Sequence, residues 1–175
     1  MKDLPSQEYL QECFDYAPLT GELTWKTRPL SHFKDSRSCN NWNVRLAGGM
    51  VTYVDPTGYL HVGINNKDHR VHHLIWKLTH GVDPIFIDHI NGDRADNRIA
   101  NLREATHAQN NYNSKIRKHN RLGIKGVRIT PKGRYTARIR HNNTALHIGT
   151  FDTKEEAHSA YCTAAHIYHG EYAHE

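Results

Sequence analysis

The residues best suited to chemistry are a carboxylate and an imidazole that stand side by side, Asp88 and His89. Hydrolysis of a phosphodiester needs an activated water and relief of the charge that develops on the phosphate and the leaving oxygen. A histidine with a pKa of about 6.5 can activate the water, and a divalent metal on hard oxygen ligands can take the charge. Asp88 and the amide oxygen of Asn110 are such ligands, and magnesium is their natural occupant. An isolated Asp-His pair also fits local hydrogen bonding, so the surrounding elements must decide.

The elements around this pair predict a strand, a turn, a returning segment and a helix. Residues 85–87 are expected to form a short buried strand, and Asn91-Gly92 is a strong turn signal. Residues 101–104 can return beside that strand. Thr106 and Gln109 have the spacing of a capping box, so a helix is expected to begin directly after the threonine. This order brings the end of the strand to the start of the helix, where polar side chains distant in sequence are expected to converge.

Several segments resemble the HNH endonucleases that phages and mobile introns carry. That family is named for the His, Asn and final His or Asn of its ββα-metal motif, and these positions match His89, Asn101 and Asn110. Upstream, Tyr16, residues 20–25 and Gly58-Tyr59 also read like these phage enzymes. The segments that carry the resemblance are Val71-His72-His73-Leu74, Asp88-His89-Ile90-Asn91-Gly92-Asp93, Asp96-Asn97-Arg98, Asn101-Leu102-Arg103 and Asn110.

The resemblance implies a role for each matched side chain. His89 would be the general base, Asp88 and Asn110 the metal ligands, and Asn101 the residue that braces the motif and helps to orient His89. His72 stands at a family position and would either buttress the site or touch phosphate. The metal would be Mg²⁺, with Mn²⁺ or another divalent ion as a substitute. Because the three cysteines form no C-x-x-C pair, a structural zinc is not expected.

The acidic and amide residues after the Asn-Gly turn also invite comparison with a calcium loop. An EF-hand needs Gly at its sixth position and Glu at its twelfth, where this chain has Asp93 and Ile99. The sequence therefore excludes that loop. Asn97 is expected to fix the turn through bonds from its side chain to the backbone.

The excess of positive charge lies in the second half of the chain. The net charge is +5, yet residues 1–87 hold nine Lys or Arg and nine Asp or Glu. Between Glu104 and Asp152 there is no acidic residue, and apolar residues alternate through the interval, so we expect it to be folded. A polyanion is the expected partner. The ten cations of this interval are Lys115, Arg117, Lys118, Arg121, Lys125, Arg128, Lys132, Arg134, Arg138 and Arg140.

The C-terminal residues predict a three-stranded antiparallel meander followed by a helix. Strands are expected at 126–129, 135–140 and 145–151, separated by turn-forming residues at 131–133 and at Asn142-Asn143. A second capping box, in which Glu156 stands three residues after Thr153, opens the helix. Its packed face is expected to carry Ala157, Ala160, Ala164 and either Ile167 or Tyr168.

This unit resembles the ethylene-response-factor (Apetala-type) DNA-binding domain through Gly126-Val127-Arg128 and residues 138–140, 148–151 and 157–170. In that family the sheet enters the major groove. Lys132 and His147 stand where the plant domain has Trp, so its base preference does not carry over. Residues 115–121 would form a linker arm that follows phosphates, with a solvated linker as the alternative. The resemblance implies DNA-facing positions at Lys125, Arg128, Lys132, Arg138, Arg140 and His147, the arginines on the face opposite the helix.

The patterns in the N-terminal half are weaker. Gly81 is expected to end the helix predicted at 71–80. Asn65-Asn66 is expected to form a turn. The predicted elements are a helix at 7–15, an exposed strand at 22–26, a loop at 31–43, a hairpin of strands 50–54 and 59–64, and a helix at 71–80.

Together these patterns predict an α+β protein: an HNH endonuclease domain at 1–113 with its ββα-metal motif at about 85–113, a basic linker at 114–122, and a DNA-binding domain at 123–175. The expected function is metal-dependent cleavage of double-stranded DNA. The resemblance to the HNH endonucleases implies a phage-type nicking or homing enzyme that leaves 5′-phosphate and 3′-hydroxyl ends. One motif per chain favours a monomer that nicks one strand, whereas a dimer would cut both.

Two other function classes stay open from the sequence: a DNA-binding transcriptional regulator with an inactive nuclease fold, and an RNA-binding or RNA-cleaving protein. No apolar run approaches the length needed to span a bilayer. No signal peptide is visible in the first ten residues either, so a cytoplasmic protein of a bacterial host cell is expected.

Overall fold

A computed structural model describes residues 4–114, 116 and 120–173 of the 175-residue chain. These residues form two compact units, which divide between Glu104 and Ala105. Both units combine small antiparallel sheets with helices, which confirms the predicted α+β class. Within the described ranges, no helix is long and apolar enough to cross a membrane. The predicted domain boundaries at 113 and 123 stay predictions.

The first unit packs three helices and three two-stranded sheets around an apolar core. Leu10, Leu74 and Ile75 lie at the centre of that core and are fully buried. Gly81, at φ 75°, ends α3 as predicted. In chain order the elements are α1 (Gln7–Cys13), β1 (Phe14–Ala17), β2 (Glu22–Trp25), α2 (Ser36–Leu46), β3 (His61–Ile64), β4 (Lys67–Arg70), α3 (Val71–His80), β5 (Ile87–His89) and β6 (Leu102–Glu104), with β1 paired to β2, β3 to β4 and β5 to β6.

A helix replaces most of the loop predicted at 31–43, so that prediction was wrong. The α2 helix is polar and lacks a clear apolar stripe, but Asp35 caps it by accepting a bond from the Ser38 N–H at 2.7 Å. Few apolar side chains connect it to the core. Cys39 is buried, and the ring of Trp42 packs edge-on against that of Trp25, with the two ring centroids 4.8 Å apart. Tertiary packing of two residues, rather than periodicity, fixes this helix.

The predicted hairpin of 50–54 with 59–64 forms only next to its turn. Val54 bridges Leu60, and the His61 N–H donates to the Tyr53 carbonyl oxygen at 2.8 Å, but Met50 bridges Thr24 instead. The regular hairpin joins β3 to β4, and its turn is the predicted Asn65-Asn66 with φ of 50° and 59°. Two central residues of positive φ are what a tight hairpin turn requires. The second strand is polar and gave no strand signal in the sequence.

The strand at the chemical centre begins two residues later than predicted. Ile85 and Phe86 are 67% and 40% exposed, so the buried strand expected at 85–87 was wrong. The strand β5 instead comprises Ile87, Asp88 and His89, and all three residues are buried. The polar pair therefore lies inside the strand rather than just beyond its end.

The second unit consists of α4 (His107–Tyr112), a meander of β7 (Val127–Ile129), β8 (Tyr135–His141) and β9 (Thr144–Phe151), and α5 (Lys154–His169). The capping boxes predicted at Thr106 and Thr153 both form. Ala137 and Ile139 from the sheet pack on Ala157, Tyr161, Ala164 and Ala165 from α5. The predicted helix face was wrong at its end, because Ile167 and Tyr168 are 73% and 42% exposed.

Candidate active site

The pairing of β5 with β6 provides Asp88 with a basic partner. In this antiparallel pair, Asp88 lies directly opposite Arg103. Arg103 donates from Nε and Nη2 to Asp88 Oδ2 at 2.9 and 2.8 Å. The carboxylate is only 4% exposed, and a buried charge of this kind needs such a partner. Sequence reasoning did not give Arg103 a role, because the cross-strand register depends on the exact bounds of β5.

His89, the next residue along β5, is held by an amide. Its Nε2 lies 3.2 Å from Oδ1 of Asn97, and Asn97 is itself only 1% exposed. With Oδ1 as the acceptor, Nε2 carries the proton of the neutral ring and Nδ1 is the basic nitrogen. Burial lowers the pKa of His89, against smaller opposing effects of Asn97 and Asp88. The ring is therefore neutral at pH 7, which is the form that a general base requires.

Asn97 was expected only to fix the turn, and it does so: its Nδ2 donates to the Ala95 carbonyl oxygen at 3.3 Å. Its contact with the His89 ring was missed. The two residues are eight positions apart, so no local spacing rule links them. The signal that could have found this contact is the Asn-Gly turn, which folds the segment after β5 back across the strand.

Asn101 braces the loop between β5 and β6. Its Oδ1 accepts from the Asn91 N–H at 3.0 Å, and its Nδ2 donates to the Asp96 carbonyl oxygen at 2.8 Å. The Asn101 carbonyl oxygen also accepts from the Ile90 N–H at 2.9 Å. These bonds join the end of the loop, at Asn101, to its start at Ile90 and Asn91 and to its middle at Asp96. A bracing role is therefore visible in the contacts, while the predicted help in orienting His89 stays a prediction.

His72, on α3, packs against the ring of His89. The two ring centroids are 4.9 Å apart with the planes at 79°, and His72 is 1% exposed. Of its two sequence-based roles, this burial favours the buttress, since the ring has almost no surface for a phosphate. Its Nδ1 is buried without a hydrogen-bond partner among the described residues. Burial also places the pKa of His72 well below its ordinary value, so the ring is neutral.

The two residues expected to hold a metal, Asp88 and Asn110, offer the oxygen ligands that magnesium prefers. Magnesium keeps several waters and takes one or two carboxylate or carbonyl oxygens from a protein. Asp88 offers such an oxygen from a carboxylate that Arg103 already fixes. Asn110 lies on α4 in the second unit. Across the described ranges, no three His, Cys, Asp or Glu side chains are grouped so that they could hold a metal ion. The Asp88 and Asn110 ligand pair stays a prediction.

The meander of the second unit exposes the cations that the alternation pattern predicted on one face. Arg138 and Arg140 alternate with the buried Ala137 and Ile139, which face α5. Arg138 lies opposite His147, and Arg128 lies opposite Thr136 of the same face of β8. We call the exposed residues Arg128, Arg138, Arg140 and His147 the arginine face. An open groove beside it is also lined by Arg121.

Not every cation predicted to face DNA is exposed and unpaired. Lys125 is half-buried and donates from Nζ to the Tyr112 and Ser114 carbonyl oxygens at 2.6 and 2.8 Å. Arg134 forms an ion pair with Asp152 at 2.7 Å. Lys132 is exposed in the turn between β7 and β8. Lys115, Arg117 and Lys118 of the predicted linker arm lie outside the described residues.

Comparison with known proteins points to one family. The family model described as HNH endonuclease matches residues 69–112. An uncharacterized HNH endonuclease of Acanthamoeba polyphaga mimivirus is 32% identical over 124 residues, covering 69% of this chain and 64% of the relative. Protein 3.8 of Escherichia phage T7 is 36% identical over 63 residues, covering 35% of this chain and 52% of the relative. The chain thus spans less than two thirds of either relative. No solved structure matches it.

The residues that match the family model include those of the candidate active site. The matched segment begins at His69, just before α3, and runs through β5, β6 and α4. It includes His72 on α3, Asp88 and His89 on β5, Asn101 just before β6, and Asn110 on α4. Both relatives are viral. The chain is therefore similar to the HNH endonucleases over residues 69–112, the segment that carries the candidate active site.

Proposed function

We propose that the protein is a metal-dependent nuclease that hydrolyses phosphodiester bonds in duplex DNA. One observation carries the proposal: within the region that matches the HNH endonucleases, a buried neutral imidazole lies beside a buried carboxylate, and each has its own holding partner. Asn97 holds His89, and Arg103 holds Asp88. A neutral imidazole held in one orientation can act as a general base, and a carboxylate held beside it can bind a metal ion.

In the proposed reaction each side chain has a distinct task. His89 accepts the proton of the attacking water on Nδ1, because Asn97 occupies Nε2. Asn97 and the His72 ring keep the imidazole in one orientation. Arg103 holds the Asp88 carboxylate in place through two hydrogen bonds. Magnesium, held by Asp88 and Asn110 when bound, would relieve the charge on the phosphate and the leaving oxygen.

The second unit is proposed to hold the DNA through the arginine face. Guanidinium groups bind phosphates and can pair with guanine by two bonds. The three-stranded sheet with one helix agrees in outline with the Apetala-type domain that the sequence resembles, and assignment to that domain is part of the proposal. A nicking or homing role, a phage-type origin and a monomeric state are proposed on the same resemblance.

The direct test of this function is cleavage of supercoiled plasmid. With Mg²⁺ the protein is expected to produce relaxed circles if it nicks one strand, or linear DNA if two copies act together. With chelator the plasmid is expected to stay intact. Cleavage in chelator would contradict the metal dependence. Duplex DNA that is bound but uncut with every divalent metal would favour the regulator function, and stronger competition by RNA would favour an RNA substrate.

A further inference from the structure

Two arginines of the first unit lie over one tyrosine ring beside the site. The guanidinium carbon of Arg70 is 4.5 Å from the centroid of the Tyr59 ring, and that of Arg94 is 4.8 Å from it. The same ring is 5.9 Å from the His89 ring and 5.1 Å from the His72 ring. Sequence reasoning gave no role to either arginine, because they belong to separate segments that only the fold brings to Tyr59.

The local structure fixes these groups in place. Tyr59 follows a turn in which Asp55 Oδ1 accepts from the Tyr59 N–H at 3.0 Å. Arg94 donates from Nη1 to the Thr57 carbonyl oxygen of that turn at 2.7 Å. Arg70 is the last residue of β4 and leads directly into α3. An aromatic face attracts a cation, so the ring and the turn hold both guanidinium groups at Tyr59, whose ring centroid lies 5.9 Å from that of His89.

The charge of these two arginines is not neutralised within the unit. Both are exposed, and neither forms an ion pair with a carboxylate of the described residues. Arg98 and Arg103, in contrast, are paired with Asp96 and Asp88. Because both lie so close to one ring centroid, the two cations are within about one Debye length of each other in 0.1 M salt. Two adjacent like charges repel unless an anion joins them.

We propose that Tyr59, Arg70 and Arg94 form a phosphate clamp that holds the backbone of the strand to be cut next to His89. The inference rests on the proposed nuclease function and names the part of the substrate that the first unit binds. Guanidinium groups suit this task, since their planar fork donates two parallel bonds to a phosphate. Arg70 and Arg94 would touch phosphates, and Tyr59 would position them.

Binding without cleavage tests the clamp independently of catalysis. In a His89→Ala background, the dissociation constant for a short duplex is measured over a range of salt concentrations. Removing one cation that binds a phosphate lowers the slope of log K against log salt by about 0.9. The Arg70→Ala/Arg94→Ala variant is therefore expected to lose about two units of slope and at least about tenfold in affinity. Arg70→Lys/Arg94→Lys should keep most of the slope.

A matched control removes a positive charge elsewhere. Arg45 is exposed on α2, which holds none of the site residues, so Arg45→Ala is expected to leave the slope near that of the parent. Tyr59→Phe keeps the ring and should bind like the parent. Tyr59→Leu keeps both arginines but removes the ring that positions them, so it should lower the affinity and the slope by less than the double alanine variant. Thermal unfolding checks that all variants are folded.

The outcomes separate the two proposals. If the parent binds duplex DNA and the double alanine variant has the slope of Arg45→Ala, the clamp is refuted while the nuclease function stands. If the His89→Ala parent does not bind duplex DNA and the wild-type protein does not cut it, the proposed function fails and the clamp fails with it. A slope that is lowered in the double alanine and Tyr59→Leu variants, but not in Arg45→Ala, supports the clamp.

Discussion

At the scale of single residues, the notable partner of His89 is an amide rather than a carboxylate. A carboxylate at the position of Asn97 would favour the charged imidazolium and raise the pKa of the ring. The amide of Asn97 orients the ring without adding charge, and burial keeps it neutral. This explains how His89 can be tightly held and still be unprotonated, as a general base must be.

Replacing Asn97 therefore tests the orientation of the base. Asn97→Ala is expected to slow DNA cleavage by about 10- to 100-fold, as loss of an orienting partner typically does, while duplex binding stays unchanged. Cleavage under single-turnover conditions is the measurement, with melting curves to show that the variant is folded. Asn41→Ala, an exposed change on α2, is the control. Unchanged cleavage by folded Asn97→Ala would contradict the role of Asn97.

The buried histidines of the first unit make its stability depend on pH. Burial lowers the pKa of His73 to about 4, and that of His72 is also lowered. In the unfolded chain both have a pKa of about 6.5, so the unfolded state binds more protons below that pH. Their contribution to stability is complete above pH 6.5 and is lost as the pH falls through the folded-state values.

Urea unfolding at pH 7.5, 6 and 5 measures this loss. The chain has three tryptophans, Trp25, Trp42 and Trp76, all in the first unit, so their fluorescence reports that unit alone. A shift of the His73 pKa from about 6.5 to about 4 is worth up to about 3 kcal/mol. His73→Gln should therefore show a smaller loss over this pH range. An equal loss in both proteins would contradict this cause.

At the scale of elements, sequence patterns were reliable where capping or turn chemistry is local. Both capping boxes, the Asn65-Asn66 turn and the Gly81 stop could be predicted because each depends on residues a few positions apart. The α2 helix could not, since its polar sequence gives a weak helix signal and the contacts of Cys39 and Trp42 that hold it are tertiary. The polar strand β4 forms because the turn before it fixes its pairing with β3.

The same limit explains what was missing from the site. Asp88, His89 and Asn101 were found through a contiguous motif, and the structure gives each a defined set of contacts. Arg103 and Tyr59 reach Asp88 and His89 only through the register of a strand pair and the closure of a turn. Such contacts depend on tertiary structure, which one sequence does not specify by spacing.

The junction of β7 with α5 provides a test at the element scale. Gly126 has φ 74°, and a Cβ added there would lie 1.9 Å from Tyr161 Cδ2. Gly126→Ala is expected to destabilise the second unit by about 3 kcal/mol or more, through backbone strain and overpacking together.

Gly133 separates these two causes. It has φ 78° but no atom within 4 Å of the added Cβ, so Gly133→Ala should cost only about 1 kcal/mol of backbone strain. Thermal unfolding followed by far-ultraviolet circular dichroism compares the two. Equal costs would show that Tyr161 does not restrict Gly126.

At the scale of the whole molecule, charge and chemistry are divided between the two units. The first holds His89 and its partners, and the second holds the arginine face on a separate core. Nonspecific attraction to DNA is therefore expected to come mostly from the second unit and to fall steeply with salt. In the proposed nuclease, the general base and the residues that hold it lie in the first unit, so the catalytic step and most of the binding should be separable by mutation.

The most direct test of the central claim compares His89→Ala with the wild-type protein on supercoiled plasmid in Mg²⁺, with duplex binding measured in parallel. His80→Ala, an exposed histidine at the end of α3, is the matched control. The wild-type and His80→Ala proteins should cut the plasmid, whereas His89→Ala should bind duplex DNA with the same affinity and leave the plasmid uncut. Undiminished cleavage by His89→Ala would contradict the assignment of His89 as the general base.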